Sequence, residues 1–149
     1  MLLETEIEFI QNNLQRDPVS VALDASKYPQ LDLPKLVCQI KARQKLKDKM
    51  PHWVANNKVF FPPNLALEQS SSENTAYFKA TLVQGKIADL TGGMGLDSFA
   101  FAKAGCEISY IERQPELAEI AAYNHDQLKA GNIQHHTAES LAWLSNQDE

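Results

Sequence analysis

Ile87-Ala88-Asp89-Leu90-Thr91-Gly92-Gly93-Met94-Gly95-Leu96-Asp97 is the stretch that decides how this chain folds. A short apolar run ends in an acid, a cluster of glycines follows, and a helical pattern begins directly after them. Glycines at the C-terminal end of a strand let the backbone turn tightly and approach a ligand with no Cβ in the way, and the next helix presents free N–H groups. A Gly-x-Gly pair by itself is weak. Two placed acids sharpen it: Asp89 stands four residues before Gly93, and Glu112 ends the next apolar run 17 positions beyond Gly95. That offset suits a carboxylate that accepts from both hydroxyls of a ribose.

Downstream, strands predicted at 86–90, 107–111 and 133–136 alternate with helices. The first helix covers 97–104 and is closed by Gly105. The second starts at Pro115, turns Leu117, Ile120, Ala121 and Leu128 inward and ends at Gly131; the third covers 140–144. Strand and helix in alternation imply a parallel sheet with right-handed crossovers, here half of a doubly wound fold. Upstream, residues 1–80 read as helices punctuated by proline. Ile7, Ile10 and Leu14 suggest a helix over 4–15, and Asp17-Pro18 stops one element and can start another. Asp32 before Leu33-Pro34 caps a helix whose inner face is Leu36, Val37 and Ile40 and which runs to Met50, before Pro51. Phe60-Phe61-Pro62-Pro63 is a rigid extended link, and Ser70 with Glu73 offers a capping box for a helix through Ala76, Phe78 and Ala80. The chain therefore divides into a helical N-terminal domain, 1–80, and part of an α/β domain, 81–149.

Composition sets the outer bounds. The 149 residues carry 44% hydrophobic and 22% charged side chains, with no apolar run near the ~20 residues that span a bilayer. Glu4 stands where a secretory leader would carry positive charge, so a cytoplasmic location is expected. Cys38 and Cys106 are far apart and in no Cys-x-x-Cys, which signals neither a disulfide framework nor a zinc knot; both are expected to be buried thiols. The net charge of −5 argues against a protein that coats nucleic acid over its whole surface. One local patch stands out, since Lys41, Arg43, Lys45, Lys47 and Lys49 are opposed only by Asp48. It is either a solvated helix face or an RNA contact.

The ligand of the glycine turn follows from charge. A dinucleotide site wants a third small residue so that the helix can pack, and an acid at Asp89 would repel a pyrophosphate. A cationic amino-acid tail suits Asp89 better. S-adenosylmethionine offers an ammonium and a sulfonium where a nicotinamide dinucleotide has two phosphates, so the acidic strand end becomes an asset.

The motif Asp89-Leu90-Thr91-Gly92-Gly93-Met94-Gly95-Leu96-Asp97, followed by Ile111-Glu112-Arg113, resembles motifs I and II of class I S-adenosylmethionine-dependent methyltransferases. Thr91 stands where many members have their first glycine. The upstream segments Gln39-Ile40-Lys41-Ala42-Arg43-Gln44, Lys49-Met50-Pro51 and Leu67-Glu68-Gln69-Ser70-Ser71-Ser72-Glu73 are similar to the bacterial methyltransferases said to carry a THUMP-like domain. The resemblance covers most of residues 30–145. It implies a Rossmann-like sheet, S-adenosylmethionine as cofactor and RNA as substrate. It also makes Asp89, Thr91, Gly93, Gly95, Asp97, Glu112 and Glu139 the cofactor-binding set, with Glu139 accepting from the adenine amino group. Glu139 has an equal claim as a helix-start acid that favours the dipole, and Asp97 as a helix N-cap.

Other features take plain readings. His135 and His136, adjacent in a strand, point to opposite faces and cannot chelate one metal together, so no metal site is expected. Trp53, Phe60, Phe61 and Tyr110 are expected to pack rather than stack on bases. In the class I fold the residues of methyl transfer commonly follow the fourth strand, in an Asp-Pro loop; the only Asp-Pro here is Asp17-Pro18. The chain is therefore expected to be the N-terminal part of a longer enzyme. Taken alone it should transfer no methyl group and bind cofactor weakly, with either self-association through the edge of the first strand or disorder beyond about residue 85. A competing expectation is a noncatalytic RNA-binding or assembly module that keeps the turn as scaffold.

Overall fold

The computed structural model describes residues 1–62 and 70–147. Pro63 of the extended link and the Leu67-Glu68-Gln69 part of the similar segment lie outside the described residues. The leader begins with α1 (Glu4–Asn13), where the Glu6 carboxylate accepts from the Leu3 N–H at 2.8 Å. Next comes α2 (Pro18–Leu23), capped by Asp17, whose side chain accepts from the Ser20 N–H. A 3₁₀ turn follows (Ala25–Lys27), then α3 (Leu33–Leu46), where Asp32 caps and Pro34 sits in the first turn as predicted. Phe9, Ile10, Val21, Leu33, Leu36 and Ile40 close a first apolar core among these helices.

Helix α3 stops short of Met50, and Pro51 opens a new short helix, α4 (Pro51–Ala55), rather than a break. Helix α5 (Glu73–Ala80) is capped by Ser72, which accepts from the Thr75 N–H, and not by Ser70. Glu73 is then the first helical residue, and its carboxylate takes the Trp53 N–H at 3.0 Å instead of closing a capping box. Cys106 is buried as expected, but Cys38 is exposed. It lies two residues from Leu36 and from Ile40 on α3, about 200° round the helix from each, and so faces water.

The sheet consists of β1 (Lys86–Asp89), β2 (Glu107–Glu112) and β3 (Ile133–Thr137), all parallel, in the order β1-β2-β3. Its crossovers are α6 (Leu96–Lys103) and α7 (Pro115–Gln127), and α8 (Ser140–Ser145) follows the last strand. This is the α/β, Rossmann-like architecture expected. Register decides which side chains share a row: Ile87, Ile108 and Ile133 align across the three strands, and two positions on, so do Asp89, Tyr110 and His135. Because side chains alternate faces with a period of two, both rows lie on one face of the sheet. The isoleucine row packs in a cluster with Ala76, Ala80, Ala100 and Phe101 of α5 and α6. The second row places polar groups beneath the glycine turn.

The largest apolar cluster among the described residues joins the leader to the glycine turn and its flanking helices. Leu46, Met50, Trp53, Val59 and Phe61 pack with Met94, Leu96, Phe99 and Leu128, and Trp53 is fully buried, its ring edge-on to Phe99 with centroids 5.6 Å apart. Buried amides fasten the extended segment that follows α4. Gln39 from α3 donates to the Phe61 carbonyl at 2.8 Å and accepts from its N–H at 2.9 Å, and Asn124 from α7 makes the same pair of hydrogen bonds with Phe60, at 2.8 Å each way. Arg43 is 1% exposed, and its guanidinium donates to the carbonyls of Val54, Asn56, Asn57 and Val59 at 2.7–3.3 Å. This corrects the reading of the Lys41 to Lys49 run as one basic face. Alternate helical residues lie 200° apart, so Lys41 and Lys45 are exposed while Arg43 points into the core. Among the described residues no helix is long and apolar enough to cross a membrane.

Candidate functional site

At the C-terminal ends of the strands lies a cavity of about 810 Å³. It is within the usual size range of small-molecule sites. Asp89, Thr91, Gly93, Gly95, Asp97, Glu112 and Glu139 all line it, together with Gly92, Met94, Arg113, Ser140 and, from the leader, Pro62, Ser71 and Lys79.

Asp89 closes β1. Its carboxylate accepts from the Ser98 hydroxyl at 2.6 Å and from the Thr91 N–H at 3.2 Å, and burial raises its pKa above the ordinary carboxylate value despite both bonds; the charge of nearby Asp97 pushes it the same way. A cation arriving in the cavity would relieve that penalty, and a phosphate would add to it. Glu112 closes β2 with 8% of its surface exposed. One carboxylate oxygen accepts from the Gly93 N–H at 3.0 Å and the other from the Gln114 N–H at 2.9 Å, so the residue braces the glycine turn against the start of α7. A carboxylate oxygen has two acceptor sites, which leaves one on each for a pair of ligand hydroxyls. Glu139 is exposed at the N-cap position of α8 and makes no side-chain cap bond. The Ser140 hydroxyl beside it donates to the Leu90 carbonyl, tying α8 to the end of β1.

Asp97 does not cap α6. Gly95 occupies that position with φ of +83°, and Asp97 sits in the first turn, where it pairs with Lys79 at 2.8 Å and accepts from the Ser71 hydroxyl at 3.1 Å. Its other oxygen is buried with no partner among the described residues.

The turn is also shaped from below by residues that the sequence did not single out for the site. A Cβ on Gly92 would meet the Tyr110 ring at 2.3 Å, and one on Gly95 would meet His125 Nε2 at 2.4 Å, so both positions are closed to larger residues by contact, and Gly95 by its left-handed backbone as well. Tyr110, packed as expected, donates to the Gly93 carbonyl at 2.6 Å. Its phenol is held well above its ordinary pKa, first by burial and then by Glu112. His125 lies 2.8 Å from the Gly95 carbonyl through Nε2 and 2.8 Å from His135 Nε2 through Nδ1. A carbonyl only accepts, so His125 carries its proton on Nε2 and its Nδ1 receives the His135 N–H. Burial lowers the His125 pKa to about 4. His136 stands apart from this chain of bonds, against the Trp143 ring of α8. Among the described residues no three potential metal ligands converge. Tyr110 was within reach of the sequence, two residues before Glu112 and so on its face; His125 could have been read as the polar member of the inner face of α7.

A parallel sheet whose first strand ends in an acid and a glycine turn, and whose second ends in an acid, is a Rossmann-like arrangement with a cavity at its strand ends. Comparison with known proteins agrees. The chain is similar to ribosomal RNA small subunit methyltransferase J of Pseudoalteromonas atlantica, 41% identical over 59 residues that make 40% of this chain and 20% of that protein. It is similar to the same enzyme of Pseudomonas savastanoi pv. phaseolicola, 47% identical over 38 residues, 26% of this chain and 14% of that one. Among solved structures, one assigned as a methyltransferase from Porphyromonas gingivalis W83 superposes with a TM-score of 0.77 and 27% identity, over 98% of this chain and 39% of that chain. The chain thus spans a fifth or less of these curated relatives and 39% of the solved neighbour. No family model matches it.

Proposed function

We propose that this chain is the cofactor-holding part of an S-adenosylmethionine-dependent methyltransferase that acts on RNA. The observation that carries the cofactor is Asp89, a half-buried carboxylate with a raised pKa at the wall of the cavity, which favours a cationic ligand over a diphosphate. The residues present fit the group. Asp89 takes the ammonium of the amino-acid tail, the free acceptor sites of Glu112 take the two ribose hydroxyls, and exposed Glu139 takes the adenine amino group. Gly93 lets the backbone of the turn approach without a Cβ, while Gly92 and Gly95 leave room for Tyr110 and His125 beneath it. Bound there, the cofactor supplies an electrophilic methyl group; this chain's part is to bind it, orient it and keep the turn rigid through Tyr110 and His125. RNA as acceptor rests on the names of the curated relatives, and the similarity of the leader to THUMP-like methyltransferases points the same way.

Removing the Glu112 carboxylate tests the reading. Charge-assisted hydrogen bonds are worth roughly 1.5–3 kcal/mol each, so Glu112→Ala should weaken S-adenosylhomocysteine at least tenfold in a calorimetric titration. Glu112 also braces Gly93, so the melting curve is recorded alongside to show that the variant is folded. An unchanged dissociation constant would take Glu112 out of the site.

A further inference from the structure

Lys79 belongs to α5, in the helical leader, yet it lines the same cavity as the strand-end acids. Its ammonium is fixed by two acceptors, the Asp97 carboxylate at 2.8 Å and the Ser71 hydroxyl at 2.9 Å. A lysine ammonium has three donors, and among the described residues these two bonds leave the third unused. The side chain is 43% exposed, so that donor has room for a ligand. Lys79 and Asp89 thus put a positive and a negative charge on the wall of one cavity, and the Lys79 charge partly offsets the burial that raises the Asp89 pKa.

This pair has the form of a receptor for a zwitterion. An α-amino acid carries an ammonium and a carboxylate on one carbon, and a site with Asp89 alone answers only half of it. The other cation on the cavity wall, Arg113, directly follows Glu112 and so lies at the end proposed for the ribose. We infer that Lys79 binds the α-carboxylate of the cofactor's amino-acid tail while Asp89 binds its ammonium, with Asp97 and Ser71 as positioning residues that hold Lys79. The leader then completes the cofactor site. This inference rests on the cofactor proposed above.

Two ligands separate the parts. S-adenosylhomocysteine has the zwitterion; 5′-methylthioadenosine has the same nucleoside thioether without it. Binding of each to the full chain is followed by amide chemical shifts in NMR titrations, which read millimolar as well as micromolar affinity. Lys79→Gln should weaken S-adenosylhomocysteine at least tenfold and leave methylthioadenosine within twofold, while Lys79→Arg retains most of the affinity for both. Unchanged binding of methylthioadenosine also shows that the variant has folded. Equal losses for both ligands would make Lys79 a structural residue and overturn the inference, as would no loss for either. A wild-type chain that binds methylthioadenosine no more weakly than S-adenosylhomocysteine overturns it too, while leaving the nucleoside site in place. A wild-type chain that binds neither refutes the cofactor reading itself.

Discussion

Replacing Arg43 with methionine keeps much of the length and apolar stem of the side chain and removes its charge and donors. In the folded protein four backbone carbonyls, those of Val54, Asn56, Asn57 and Val59, would lose a guanidinium partner. Hydrogen bonds to a charged group are worth about 1.5–3 kcal/mol each, which sets a gross loss of roughly 6–12 kcal/mol. Two effects reduce it. Burial lowers the Arg43 pKa from 12.5 to about 10, a desolvation cost near 3 kcal/mol that methionine does not incur. Residues 56 and 57 are not buried, so their carbonyls can regain water. What remains is the orphaning of Val54 and Val59 and the loosening of the loop, a net destabilisation of about 3–5 kcal/mol, as found when one partner of a buried charged interaction is removed. For a chain of this size that lowers the melting temperature by roughly 10 °C. Urea denaturation followed by circular dichroism measures it, with Lys41→Gln as an exposed control from the same helix that should stay within about 0.5 kcal/mol of wild type. A loss below about 1 kcal/mol for Arg43→Met would mean that the loop is not held by the guanidinium, and would return Arg43 to the surface group.

Gly95→Ala puts a Cβ at 2.4 Å from His125 Nε2 in a left-handed conformation, so it should cost roughly 2–4 kcal/mol and weaken cofactor binding; wild-type stability in a thermal melt would refute the contact. His125 has a folded pKa near 4 against an ordinary 6.5, so its neutral form is favoured by folding. Its contribution is complete above pH 6.5 and is lost as the pH falls toward 4, up to about 3 kcal/mol, and a stability profile flat across that window in urea titrations would count against it. If Lys41 and Lys45 meet RNA phosphates, changing both to Gln should flatten the salt dependence of single-strand binding by a slope of roughly 0.7 per contact, and an unmoved slope returns them to a solvated helix face.

The strands, the crossovers and the acid-tipped turn were legible because each is written locally. A strand end, a run of glycines and a helix start lie within eleven consecutive residues, and the 17-position offset to Glu112 is set by one crossover. Asp32 was legible as a cap for the same reason, and Asp17-Pro18 as a boundary between elements. What the sequence did not carry are partnerships between distant residues. Ser70 fits the capping-box spacing with Glu73, yet the cap is Ser72, because Glu73 accepts instead from the Trp53 N–H, 20 residues back. Arg43 reads as one of five regularly spaced cations until the 200° step between them is drawn on the helix and the carbonyls of the following loop are placed beneath it. Asp97 reads as a cap until Lys79 of α5 is brought beside it. His125 was passed over because a lone polar residue on an apolar face says nothing of its partners; its bond to Gly95 spans 30 residues.

The paired amides around Phe60 and Phe61 bear on which length changes this chain can tolerate. Surface connections usually accept insertions and deletions. Here consecutive backbone units are gripped from opposite sides, Phe60 by Asn124 and Phe61 by Gln39, in the way that neighbouring strands grip an interior one. A single residue added between Val59 and Phe61 would present each amide with the wrong neighbour, send the Phe61 side chain away from its cluster and carry Pro62 off the wall of the cavity. The stretch from 59 to 62 is therefore counted out like a β-strand, and natural length variation should not fall within it.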